Sequence, residues 1–121
     1  MSKVALTVDD SKTIREMVAF TLRNNGFDVL EAEDGSQALD VMRRHKVDVV
    51  ITDLNMPVMD GIELISKVRA EASNKFLPIL MLTTESDQQK KEMGKAAGAT
   101  GWIVKPFDPT KLMTVVRKVV A

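Results

Sequence analysis

Residues 47–61 read VDVVITDLNMPVMDG, an apolar run that ends on the carboxylate of Asp53 and then breaks at a Met-Pro turn. A run of this length, closed by an acid and turn residues, reads as a parallel strand buried on both faces, with Asp53 presented at its carboxyl end. In open α/β sheets ligands bind just outside the carboxyl ends of the strands. Fold and function both depend on which other residues reach that edge.

Before this stretch, residues 4–8 (VALTV) form a β-branched, apolar run that stops at Asp9-Asp10. Ser11 then suits the N-cap of a helix with Ile14, Met17, Val18 and Leu22 on one face, and Gly26 ends it. Residues 27–31 predict a short strand; after the turn at Asp34-Gly35, Ala38, Leu39, Val41 and Met42 mark a second amphipathic helix. Beyond the central strand, Asp60 and Glu63 stand in capping-box spacing before Ile62, Leu64, Ile65 and Val68, a third helix. Residues 78–82 (PILML) predict a fourth strand running into Thr83-Thr84-Glu85.

Ser86 and Gln89 repeat the capping-box spacing, but the helix they open, over about residues 87–97, has only Met93, Ala96 and Ala97 to bury and carries Gly94 inside. It is expected to be weakly held. Gly98 fits the position after that helix, residues 100–104 predict a fifth strand, and Asp108-Pro109 opens a last helix bearing Leu112, Val115, Val116 and Val119. Five strand-helix units imply an α/β fold: a doubly wound, parallel five-stranded sheet with right-handed crossovers. The strand order assigned is the flavodoxin-like 2-1-3-4-5, taken from known folds of this kind rather than deduced from these residues.

The chain of 121 residues reads as one domain, residues 1–121, with no room for an output module. Lys and Arg total 17 and Asp and Glu total 17, so no net field favours nucleic acid or an anionic membrane. There is no cysteine, no signal-peptide core in MSKVALTVDD, and no run near the ~20 apolar residues of a membrane span. A cytoplasmic monomer is expected.

In a doubly wound sheet the first and third strands are neighbours, which brings Asp9 and Asp10 to Asp53. Like charges at that range resist full ionisation unless a cation sits among them, and hard oxygen ligands at a partly open site suit Mg²⁺. The plain alternative, that Asp9 and Asp10 only cap the first helix, does not account for the third acid. Thr83 at the end of strand four and Lys105 at the end of strand five reach the same edge. Acids on one side with a hydroxyl and an ammonium on the other can hold a divalent cation together with phosphoryl oxygens. The isomer of the Lys105-Pro106 bond stays open, since about one X-Pro bond in twenty is cis in folded proteins.

The VDDS run at residues 8–11, the DLNMPVMDG run from Asp53, the Thr83-to-Glu85 segment and Lys105-Pro106-Phe107 together resemble the receiver domain of two-component response regulators. Within that family the chain is most similar to the stand-alone chemotaxis (CheY-like) type. The resemblance implies that Asp53 is the nucleophile that becomes 4-aspartylphosphate, taking the phosphoryl group from a histidine kinase of the CheA kind. It implies Mg²⁺ ligation by Asp10, Asp53 and the backbone carbonyl of Asn55, with Asp9 reaching the ion through water. Thr83 and Lys105 then bind phosphoryl oxygens, and Asn55 and Glu85 tune the attack of water on the acyl phosphate. Thr83 and Trp102 are the expected switch residues, acting on a protein-binding face of helix four, strand five and helix five. A flagellar motor switch is one candidate target and a phosphatase another partner. Trp102 departs from the Tyr usual in motor-binding members, which bears on motor binding and leaves phosphorylation untouched.

The reading is of a binding switch that catalyses only its own phosphorylation and dephosphorylation, with a phosphate sink or relay intermediate as the alternative output. An aspartyl phosphohydrolase of the haloacid dehalogenase type needs a D-x-D, and here Asn55 holds the second position. A flavodoxin needs a phosphate loop where VDDSK would repel the phosphate. His45 among Arg43, Arg44 and Lys46 reads as surface, the methionines mostly as core, and Lys90, Lys91 and Lys95 as a solvated stripe.

Overall fold

The computed structural model describes residues 2–84 and 88–120. Five parallel strands, β1 (Val4–Val8), β2 (Asp28–Ala32), β3 (Val49–Asp53), β4 (Ile79–Thr83) and β5 (Gly101–Val104), alternate with helices α1 (Lys12–Asn24), α2 (Gly35–Arg44), α3 (Gly61–Arg69), α4 (Gln88–Ala97) and α5 (Pro109–Val119). The sheet order is β2-β1-β3-β4-β5, as expected. A short 3₁₀ turn at Ala72–Asn74 is an addition that the apolar periodicity did not signal.

Because side chains alternate across a strand, each central strand feeds two cores at once. Leu6, Val8, Val50, Ile79 and Met81 pack with Ala38, Leu64, Ile65 and Val68 of α2 and α3. Ala5, Val49, Ile51, Leu80 and Leu82 pack with Val18 and Leu22 of α1 and with Leu112 and Val116 of α5. Every residue of β3 and β4 is buried, which explains why their sequences are apolar up to the terminal acid and hydroxyl, Thr52 of β3 excepted.

The caps lie where the sequence puts them. Ser11 Oγ accepts from the Ile14 amide at 3.3 Å, Asp60 Oδ1 from Glu63 at 2.8 Å, and Asp108 Oδ1 from Thr110 and Lys111 at 2.7 and 3.3 Å. Gly61 has a further task, since a Cβ there would lie 2.3 Å from the Asp53 carbonyl oxygen. Only glycine lets α3 begin against the exit of β3. The Ser86 cap expected for α4 lies outside the described residues.

Helix α4 departs from expectation in what it buries. Met93 is 48% exposed, and the residue set against the sheet is Gly94, where a Cβ would fall 1.9 Å from Met81 Sδ. Met17 is likewise exposed rather than core, leaving it beside Phe20 on the outer side of α1. In both cases the neighbouring small or aliphatic residues already fill the space above the sheet. The far end of α4 is clamped by Arg69, whose guanidinium donates to the carbonyls of Gly98 at 2.9 Å and Asn74 at 2.7 Å and to Thr100 Oγ1 at 3.4 Å. Among the described residues no helix is long and apolar enough to cross a membrane.

Candidate functional site

The register of the sheet assembles the site. Val8 pairs with Thr52 in β3, so the residues that follow β1 emerge beside Asp53, and Thr83 pairs with Val104, one residue before Lys105. Ligand oxygens of Asp9, Asp10 and Asp53 all lie within 4.8 Å of one another. Asp9 and Asp53 are buried and Asp10 is exposed. The expected grouping of three acids therefore holds.

Asp9 is the constrained member. Its Oδ1 accepts from the Ser11 amide at 2.9 Å, and its Oδ2 is buried with no hydrogen-bond partner. Burial, more than the repulsion from Asp53, raises its pKa above the ordinary carboxylate value, against the opposing pull of the Ser11 amide. A buried carboxylate oxygen without a donor, beside two more carboxylates, is a site that a hard divalent cation fits, because the ion supplies the missing electrostatic partner. The residues able to hold it are Asp9, Asp10 and Asp53, with the chain at Asn55 next to them.

Lys105 closes the other side. Its ammonium lies 2.6 Å from Asp53 Oδ1, in a largely buried, charge-assisted pair. The Lys105-Pro106 bond is cis. Thr83 is 3% exposed, and its hydroxyl donates to the Thr84 carbonyl at 3.4 Å, so in this state it serves its own turn. Asn55 is exposed at the mouth, its side-chain carbonyl taken by the Lys90 ammonium. Glu85 lies outside the described residues. The loop after Asp53 turns tightly: the Met59 amide donates to the Pro57 carbonyl at 2.7 Å across Val58, which has φ 69°. That is a γ-turn of the rarer, strained hand on a β-branched residue.

Trp102 stands on the outer strand β5, 38% exposed, with the ammonium groups of Lys91 and Lys95 at 5.5 and 5.7 Å from its ring centre. The lysines read as a solvated stripe are thus divided: Lys90 faces the crevice and the other two face the indole. A second residue the sequence reading missed is Arg15. Nearly buried on α1, it donates to the Asp9 carbonyl at 2.7 Å and pairs with Glu31 at 3.2 Å, holding the backbone that presents both acids. Its phase gave the signal, since position 15 falls on the buried face of α1 with Val18, Ala19 and Leu22.

The family model for the response regulator receiver domain matches residues 5–117. The chain belongs to the response regulator receiver family. Over 109 residues, covering 88% of this chain and 84% of the relative, it is 47% identical to a chemotaxis protein CheY homolog of Campylobacter jejuni. The chemotaxis response regulator CheY4 of Vibrio cholerae superposes with a TM-score of 0.93 at 48% identity, covering 99% of this chain and all of that one. A receiver domain of a Pseudomonas aeruginosa sensor histidine kinase, 27% identical with a TM-score of 0.90 over 98% of each chain, was solved with magnesium coordinated in its active site cleft. This receiver is thus of the CheY chemotaxis type, a two-component signalling switch whose acidic crevice is suited to a metal.

Proposed function

We propose that this receiver takes a phosphoryl group onto Asp53 from the phosphohistidine of a CheA-like histidine kinase, in a Mg²⁺-dependent step, and uses it to remodel a protein-binding face formed by α4, β5 and α5. The observation that carries the reading is the Asp53 carboxylate held between Lys105, 2.6 Å away, and the acids Asp9 and Asp10. In the forward step an Asp53 oxygen bonds to phosphorus, and the phosphorus-nitrogen bond breaks with its electron pair going to the imidazole. Lys105 passes from the carboxylate to a phosphoryl oxygen, keeping its charge against the group that develops negative charge. Asp10, Asp53 and the Asn55 carbonyl are the proposed Mg²⁺ ligands, with Asp9 acting through water. When bound, the ion offsets the charge of the incoming phosphoryl oxygens. Thr83 leaves the Thr84 carbonyl for a phosphoryl oxygen and thereby moves the end of β4. Hydrolysis at Asp53 resets the switch, with Asn55 and Glu85 tuning its rate.

Labelling with acetyl phosphate tests the assignment. Asp53→Asn is expected to abolish labelling and EDTA to stop it in the unmodified protein. Stoichiometric phosphorylation of Asp53→Asn would overturn the acceptor, and undiminished labelling in EDTA would remove the metal. Proteins captured by the resting and the beryllofluoride-bound forms separate a switch from a phosphate sink, because a sink captures the same set in both states. A flagellar motor switch and a phosphatase are the candidates to seek among them.

A further inference from the structure

Lys90 lies in the first turn of α4, and its ammonium crosses to Oδ1 of Asn55, the second residue after Asp53. An ammonium has only hydrogens to give, so its partner on an amide must be the carbonyl oxygen, and the orientation of Asn55 follows from that chemistry. With one of the two Oδ1 lone pairs engaged, Asn55 keeps a single acceptor site and its Nδ2 hydrogens for the crevice. Lys90 is half-buried in this contact, while Lys91 and Lys95 of the same helix turn to Trp102.

We infer that Lys90 is a positioning residue for the return reaction: by holding the Asn55 carbonyl toward α4 it weakens that oxygen as an acceptor for attacking water and lengthens the lifetime of the phosphorylated state. The inference rests on the reading of Asp53 as phosphoacceptor. In the return step a water oxygen bonds to phosphorus, and the bond from phosphorus to the Asp53 oxygen breaks. Its electron pair goes back to the carboxylate, and the proton of the water goes to the released phosphate or to solvent. Water attacks faster when an acceptor takes a hydrogen bond from it as the new bond forms. The amide at position 55 is exposed at the mouth of the crevice, and its acceptor oxygen is drawn to α4 with one lone pair already taken. The same contact fastens the first turn of a helix whose only buried residue is Gly94, so Lys90 ties the lifetime of the signal to the placement of the helix that carries it.

Two measurements test this. In the metal-free, unphosphorylated protein, the Asn55 side-chain N–H pair, assigned by its loss in Asn55→Ala, is expected to shift in Lys90→Met and to stay in place in Lys90→Arg, which retains a donor. After labelling and removal of the donor, Lys90→Met is expected to lose phosphate about two- to tenfold faster, the factor that one net hydrogen bond supplies. Lys90→Arg is expected to lose it at the unmodified rate, and Lys90→Met to change nothing in an Asn55→Ala background. A Lys90→Met protein that keeps the unmodified lifetime, or an equal acceleration in the Asn55→Ala background, overturns the inference alone. Failure of the unmodified protein to label overturns the Asp53 reading and this inference with it.

Discussion

At Asp9 a carboxylate is 1% exposed, has one oxygen without a partner, and faces two more acids. Its pKa is raised above the ordinary 3.8, chiefly by burial, so the folded chain holds the proton more tightly than the unfolded one. Stability linked to Asp9 is therefore present below the ordinary value and is lost as pH rises through the raised one. Without metal, Asp9→Asn is expected to stabilise the protein at neutral pH by about 1–3 kcal/mol, the cost of a buried polar group left unpaired, and by little near pH 3. Urea unfolding in EDTA at both pH values checks this, and equal stability of the two proteins at neutral pH would show that the buried charge is compensated. Asp9, Asp10, Asp53, Thr83 and Lys105 were legible in the sequence because each ends or follows a strand, and a strand end has a fixed address on the sheet. Arg15 and Lys90 were not, since a long side chain on a helix reaches several neighbours and only the packed structure selects one.

Among the elements, α4 shows how a residue type can be read correctly and its purpose missed. Gly94 was legible as a weak point in helix propensity, but its use is close approach: the helix lies on Met81 with no side chain between. Glycine to alanine in an exposed helix gains about 1 kcal/mol. Here Gly94→Ala is expected to lose about 1–3 kcal/mol through overpacking, with much of that recovered when Met81→Val shortens the opposing side chain. Thermal unfolding of the two single variants and the double variant measures the coupling. Additive changes would mean that the helix simply lifts to make room. The starts of α1, α3 and α5 were legible because a cap residue precedes an apolar stripe in each, as with Ser11 on α1 and Asp108-Pro109 on α5.

Across the whole molecule the acidic crevice lies at the carboxyl ends of the strands and the indole of Trp102 stands on the outermost strand, with β4 and α4 between them. Beryllofluoride with Mg²⁺, mimicking the acyl phosphate, is expected to change Trp102 emission and iodide quenching beyond the effect of Mg²⁺ alone, as the ring leaves Lys91 and Lys95, and Thr83→Ala should blunt the change. Identical spectra in the two forms would place the switch in other residues of α4. The strand order was legible only by analogy, whereas the two-sided burial of β3 and β4 was written in their composition. The Arg69 clamp adds a mechanical consequence. It grips Gly98, just beyond the last turn of a ten-residue helix about 15 Å long, so the fulcrum for any tilt lies there and a rotation of about 10° carries the opposite end ~2.6 Å. That is close to the length of a hydrogen bond at the Lys90 end and almost nothing at Gly98, which makes α4 a lever whose long arm ends at Asn55.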